Sequence, residues 1–351
     1  MIAAGSIEAL LKLLACARRT LGRLPHVTGV GLGWQEKCGE ITDVMALRVY
    51  VRQKVARVEL PQSHTVPADY DGLLTDVVPT FTVVPASMAT AAMQHSSPAP
   101  LQPGIPISNL RGMLPEQAMG AQQSGMGTLG FFALVNGIRE REVVLVSNRH
   151  VLMAHGARRG SPVYAPVFSR RGETSLVHAS TLDPIAEIKD EGAEQNHAFH
   201  YNGEPDENYF VDCATAGLLA EPASPTGNNG IPAPVIRGVA RMHPLDALGY
   251  RAPRVRKFGG ASSITQGRVV DVAAPVENSN GPQRQHNIVI RGTDGSFVSP
   301  GDSGAMVLNE HDQAIGMVWG RSDHDPNIAY ACHIHPVLDR LGVTLMYGGL
   351  A

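Results

Sequence analysis

The chain has 351 residues, with 29 Lys plus Arg against 32 Asp plus Glu and a formal net charge of -3 at pH 7. This length exceeds one ordinary domain, and the near-balanced charge offers no basic field to draw a nucleic-acid partner. Thirty-seven glycines, 25 prolines and few aromatics suit a turn-rich β protein, and Cys16, Cys38, Cys213 and Cys332 show no Cys-x-x-Cys spacing for a zinc site.

Residues 1–21 carry Glu8 and Lys12 inside an apolar run with no basic region ahead of it. The pattern is that of an amphipathic helix rather than a signal peptide or membrane anchor, so a cytoplasmic location is expected. Strand-like runs follow at 27–32, 45–51, 63–67 and 75–78, making residues 1–84 a small α+β domain with a leading helix. From 85 to 126 the sequence turns rich in Ala, Ser, Pro, Gln and Met with few charges, and reads as a flexible linker.

Beyond residue 127 the chain reads as β. A run at 131–135 leads through Asn136-Gly137, a good two-residue hairpin turn, into the apolar stretch 142–152 that contains His150. The segment 169–208 is polar and expected to be rich in loops. At 208–216 an acid, Asp212, is embedded in an apolar strand, where a carboxylate needs a partner; Asp183, Asp190 and Asp206 are the alternatives, none in so apolar a setting. Cys213 and Cys332 lie in apolar strands, where buried free thiols are the default. Further short strands are expected near 255–259, 267–272, 288–291, 305–308, 314–319 and 328–333.

The most informative stretch is Pro300-Gly301-Asp302-Ser303-Gly304-Ala305. A serine hydroxyl is a weak nucleophile at neutral pH and needs a general base and donors for a developing oxyanion. Glycines on both sides of Ser303 permit a tight turn in which the N–H groups of Gly301 and Ser303 point into one concavity. The base is then His150 and the acid that fixes its tautomer Asp212, spaced 62 and 91 residues along the chain in the order His, Asp, Ser.

These three motifs carry a resemblance. Ser147-Asn148-Arg149-His150-Val151, Val211-Asp212-Cys213-Ala214 and Gly301-Asp302-Ser303-Gly304-Ala305 resemble the histidine, aspartate and serine motifs of bacterial trypsin-like (chymotrypsin-fold) serine peptidases. The resemblance covers 127–351 and implies a mainly β double six-stranded antiparallel barrel, here preceded by the small α+β domain. That domain resembles the N-terminal extension of some bacterial relatives, including the plant narrow-leaf type, through short Gly-Val-Gly and Thr-Asp-Val-Val runs.

The resemblance implies a serine endopeptidase working through an acyl-enzyme, without cofactor or metal, on a protein or peptide substrate. The strand 314–320 would bind extended substrate through its backbone, with Trp319 and Gly320 lining the specificity pocket and Phe297 as its floor. No acid stands at that floor, so an apolar or small side chain before the scissile bond is expected unless Asp323 or Asp325 intervenes. In trypsin the acid preceding the serine pairs with a freed N-terminus; no Ile-Val-Gly-Gly-like sequence occurs near Gly127, so Asp302 is expected to pair internally or with solvent and no such cleavage to be needed, although the enzyme could still cut the 85–126 linker itself. A latent or silent peptidase fold serving as a peptide-binding or effector module is the alternative, with the N-terminal domain recognising a partner or forming a homo-oligomer. His197, His200 and Glu204, and Cys332, His333 and His335, are weaker metal constellations, expected to be loop histidines and an alternating strand respectively.

Overall fold

The computed structural model describes residues 7–80, 83–85, 101–109, 126–137, 141–165, 169–171, 174–176, 183–201, 206–219, 235–242, 252–277 and 282–347. Its C-terminal part is a closed six-stranded antiparallel barrel. The strands run in the order Arg254–Gly259, Met306–Asn309, Gln313–Ser322, Ile328–His333, Arg284–Gly292 and Ser263–Val276, and the last pairs again with the first. Val255, Val269, Ile288, Ile290, Phe297, Val307 and Ile315 fill the interior, while intervening residues such as Val289, Met306, Leu308 and Ala314 are buried in a second core outside it. Burying each large aliphatic or aromatic side chain contributes about 1.5–3 kcal/mol.

The N-terminal barrel is ordered Pro162–Val163, Ala186–Phe199, Glu207–Leu218, Val143–Ser147, Phe131–Val135 and Val343–Leu345. A second path closes the ring. Strand Pro106–Ser108 pairs with Met126–Thr128, which runs on through Leu129 and Gly130 into Phe131–Val135, while Ser108 and Tyr164 exchange both backbone hydrogen bonds. Residues 101–109 therefore belong to the barrel and not to a flexible linker: Leu101, Ile105 and Ile107 are buried against Leu129, Leu145, Val151 and Leu152. Their apolar spacing was diluted by the surrounding Ala, Ser, Pro and Gln. Residues 86–100 and 110–125 lie outside the described set.

The region expected to be loop-rich supplies the 14-residue strand Ala186–Phe199. Only one of its faces is covered, so Glu187, Lys189, Glu191 and Glu194 gave it a polar signature. The two barrels meet in a shared core that includes Phe131, Val144, Phe210, Cys213, Met306, Met317, Trp319 and Cys332, capped by the helix Ile334–Leu341. Gly342 takes a left-handed φ of 61° and ends that helix, and the chain returns to the N-terminal barrel.

The leading segment is small and α+β. Helix Ile7–Leu21 lays Leu10, Leu14, Ala17 and Leu21 on a sheet formed by Val27–Lys37, Glu40–Val51 and Leu73–Pro79, where Leu32, Leu47 and Val49 complete the core. This sheet continues into the C-terminal barrel. Gly33 pairs with Asp271 at a bulged point of Ser263–Val276, and a Cβ on Gly33 would lie 2.0 Å from the Val270 carbonyl oxygen.

A buried polar knot marks the seam between sheet and barrel. Asp271 accepts from the Tyr50 hydroxyl at 2.7 Å and the Ala273 N–H at 2.8 Å, while Arg48 bonds the Trp34 carbonyl and pairs with Asp76 at 3.4 Å. Among the described residues no helix is long and apolar enough to cross a membrane.

Candidate active site

The candidate site lies where the two barrels meet. Strand Val143–Ser147 ends one residue before the short helix Arg149–Leu152, so His150 sits on a helical turn rather than at the strand end. Asn148 holds that turn in place, donating from Nδ2 to the Asp212 carbonyl at 2.7 Å. Asp212 projects from the middle of Glu207–Leu218 and is 1 % exposed, so its carboxylate depends on protein partners. It accepts the His150 backbone N–H at 3.2 Å and makes a short hydrogen bond with His150 Nδ1.

The opposite ring nitrogen, Nε2, is 2.9 Å from Ser303 Oγ. The three residues selected from sequence thus form one hydrogen-bonded chain spanning both barrels. Burial works against the imidazolium of His150, but the charge of Asp212 and its hydrogen bond outweigh this and hold the pKa above the ordinary histidine value. With Nδ1–H directed at Asp212, a neutral ring presents the Nε2 lone pair to the serine hydroxyl.

The Ser303 turn is held from beneath. Gly301 and Gly304 have φ of 105° and 94°. The Thr128 hydroxyl donates to the Gly301 carbonyl at 2.8 Å, and the Ser303 carbonyl accepts from the Thr128 N–H at 2.7 Å. Among the described residues, the N–H groups of Gly301 and Ser303 donate to no protein acceptor, leaving two donors at the turn.

Asp302 points away from the reacting atoms and pairs with Lys257 at 2.9 Å, with both side chains fully buried. Its carboxylate also accepts the N–H groups of Ala261 and Ser262 at 3.0 Å and of Ser299 at 2.8 Å. Of the two pairings the sequence left open for Asp302, internal or with solvent, the structure has the internal one.

The residues read as a specificity pocket are placed otherwise. Phe297 is fully buried in the C-terminal barrel core and presents no surface to a ligand. The Trp319 indole, 2 % exposed, packs against Phe210 and Tyr330 and donates from Nε1 to Asn287 at 3.2 Å. What Trp319 offers the site is its backbone carbonyl, 3.5 Å from Ser303 Oγ. Gly320 is paired with Pro85 of the chain's own segment Val83–Pro85. Asp325 is held by Arg291 at 3.2 Å and Asp323 lies beside His324.

The sequence reading missed a second charged layer. Glu194 is the cross-strand neighbour of Asp212 and binds Arg284 at 3.2 Å, whose guanidinium stacks 4.9 Å from the Phe210 ring centre and 4.8 Å from that of Trp319. Burial and then the charge of Asp212 push the Glu194 pKa up. Reading 186–199 as an alternating strand would have placed Glu194 next to Asp212.

The metal constellations are not assembled. His197 bonds Asp339 at 2.7 Å, His200 faces Asp206, and Glu204 lies outside the described residues. His333 is buried with Nε2 on the Val272 carbonyl at 2.8 Å, and burial pulls its pKa down to about 4. No group of three potential metal ligands occurs among the described residues. Cys213 and Cys332 are buried free thiols whose pKa values burial pushes up, which keeps them unreactive.

No family model matches the chain, and no curated protein does. Solved structures that it resembles are bacterial chymotrypsin-like proteases. Thermobifida fusca protease A is 13 % identical, with 71 % of this chain and 99 % of that one covered and a TM-score of 0.41. Cellulomonas bogoriensis chymotrypsin is 14 % identical over 71 % and 99 %, TM-score 0.39. A glutamic acid-specific serine protease described as using a histidine triad in substrate binding is 16 % identical over 70 % and 99 %, TM-score 0.45. The closed six-stranded antiparallel barrel and the mainly β architecture are chymotrypsin-like in the chain's own topology.

Proposed function

We propose that the chain is a serine endopeptidase that hydrolyses peptide bonds through Ser303, His150 and Asp212. The observation that carries this reading is the continuous path from Asp212 through the His150 ring to Ser303 Oγ, with the second contact at 2.9 Å. His150 Nε2 removes the Ser303 proton as Oγ attacks the substrate carbonyl, and Asp212 stabilises the resulting imidazolium. The N–H groups of Gly301 and Ser303 receive the oxyanion, His150 protonates the leaving amine, and water repeats the sequence on the acyl-enzyme.

The reading includes a bacterial cytoplasmic setting and narrow, regulated specificity. Support for the former comes from the free thiols of Cys16, Cys38, Cys213 and Cys332. Regulation through a partner or second copy at the N-terminal domain is part of the same proposal. A latent peptide-binding or effector module is the second reading, favoured by one observation: the chain's own residues 83–85 cover strand positions 320–322. Turnover of a peptide library by the native protein, and none by Ser303→Ala, tests the first reading; binding without turnover would favour the second.

A further inference from the structure

Arg291 joins three parts of the molecule that are distant in sequence. It stands near the end of strand Arg284–Gly292, with Nη2 at 3.1 Å from both carboxylate oxygens of Glu36 and Nη1 at 3.2 Å from Asp325. Glu36 belongs to Val27–Lys37 of the leading α+β segment, and Asp325 to the loop 323–327 that follows directly on Gln313–Ser322. One guanidinium thus connects the N-terminal sheet to the end of the strand whose Trp319 carbonyl is 3.5 Å from Ser303 Oγ.

Each carboxylate is held for this contact. The pairing of Val27–Lys37 with Glu40–Val51 is irregular between Trp34 and Glu36, which takes Glu36 out of the regular register, and Asp76 fixes its backbone by accepting the Glu36 N–H at 3.0 Å. Asp325 accepts the Asn327 N–H at 3.0 Å on Oδ1, leaving Oδ2 for Arg291, and the Ser322 hydroxyl accepts the Asp325 N–H at 3.0 Å. The loop is also tied to the segment that leads into the nucleophile turn. Ser296 Oγ lies 2.6 Å from the Pro326 carbonyl oxygen and 2.5 Å from that of Val298, and the Ser299 N–H bonds Asp302 at 2.8 Å. Arg268 is the cross-strand neighbour of Arg291, an unfavourable pairing of like charges. Closure of the barrel has no need of a second cation there; the two carboxylates that Arg291 joins account for it.

We infer that the N-terminal domain is a working part of the substrate site, with Glu36 and Arg291 as positioning residues that hold loop 323–327 beside the peptide to be cleaved. The inference rests on the peptidase reading of Ser303 and gives the N-terminal domain a role within its own chain. Contact with substrate is left to the loop and to the Trp319 backbone; Glu36 and Arg291 act through Asp325. Since the Asp325 carboxylate is committed to Arg291, it is not free to select a basic side chain. Loss of either positioning residue loosens the loop and weakens substrate binding, while the chain of hydrogen bonds from Asp212 to Ser303 stays assembled.

The test compares the full native chain with Glu36→Gln and with Arg291→Lys, which keeps the charge but lacks the fork that spans two carboxylates. Turnover of a library peptide that the native chain cleaves, and amide hydrogen exchange read by mass spectrometry, are measured on each folded protein. In both variants KM should rise about fivefold while kcat falls by less than about twofold, and the double variant should be no worse than either single one. Exchange should accelerate at 324–328 and stay unchanged in strands 131–135 and 143–147. Asp325→Asn, which cuts the link at the loop itself, should reproduce the KM shift. Unchanged KM and exchange in the folded variants, or a fall in kcat with KM unmoved, would overturn this inference alone. A folded native chain that takes no fluorophosphonate label and cleaves no peptide overturns the peptidase reading and this inference together.

Discussion

Lys257→Met isolates the support beneath the Ser303 turn. The Lys257 ammonium and the Asp302 carboxylate are 2.9 Å apart with both side chains at 0 % exposure. Burial lowers the lysine pKa and pairing with Asp302 opposes that shift, so the two charges sustain one another. Methionine keeps the length of the side chain and removes the charge, leaving Asp302 buried with three N–H donors and the Ser262 hydroxyl but no counter-charge. Breaking a buried pair from one side costs about 3–5 kcal/mol. Urea unfolding at pH 7 should show a loss of that size, and peptide turnover should fall because the anchored Asp302 directly precedes Ser303 and holds its turn. The double variant Lys257→Met with Asp302→Asn should recover much of the loss, since no lone charge remains. A loss below ~1 kcal/mol in the single variant, with the native fold retained, would refute this reasoning.

Asp212→Asn should keep the fold, read by circular dichroism, while turnover drops by about 10⁴-fold because the imidazole loses its tautomer and its counter-charge. Turnover should fall as pH drops through the raised His150 pKa, above the ordinary ~6.5, because only the neutral ring accepts the Ser303 proton. Asp271 is held up to about 6 by burial, against Arg48 and its hydrogen bonds. Its contribution to stability is therefore full below ~4, where the unfolded group is also protonated, and is lost as pH rises to about 6. Asp271→Asn should flatten that part of the stability profile, measured by urea unfolding across pH 4–6. Gly304→Ala should destabilise strongly and express poorly, since φ is 94° and the new Cβ would lie 2.3 Å from Ser147 Oγ and 2.4 Å from the Thr128 carbonyl oxygen.

The parts of the molecule legible in the sequence were those where chemistry and periodicity act locally. Asp212 stood out because an acid in an apolar strand needs a partner, and the Ser303 turn because glycine permits its two positive φ values. Strands of the C-terminal barrel are apolar runs, most of them buried along nearly their whole length, and were read in order. Other features depend on contacts distant in sequence. Ile105 and Ile107 are core residues only because Tyr164 closes the ring beside Ser108. Phe297 was assigned to a pocket floor by the resemblance, whereas the barrel interior takes the whole ring. Lys257 was overlooked although it occupies an inward position of the alternating strand Arg254–Gly259, a pattern that marks a buried charge requiring a partner such as Asp302.

Labelling with a serine-reactive fluorophosphonate, read by intact mass on the native chain, Ser303→Ala and His150→Ala, tests most directly whether the assembled residues act as a nucleophile and its base. One adduct on the native chain, lost in both variants, is the predicted result. A folded native chain that takes no adduct, or an adduct that persists in Ser303→Ala, would contradict it.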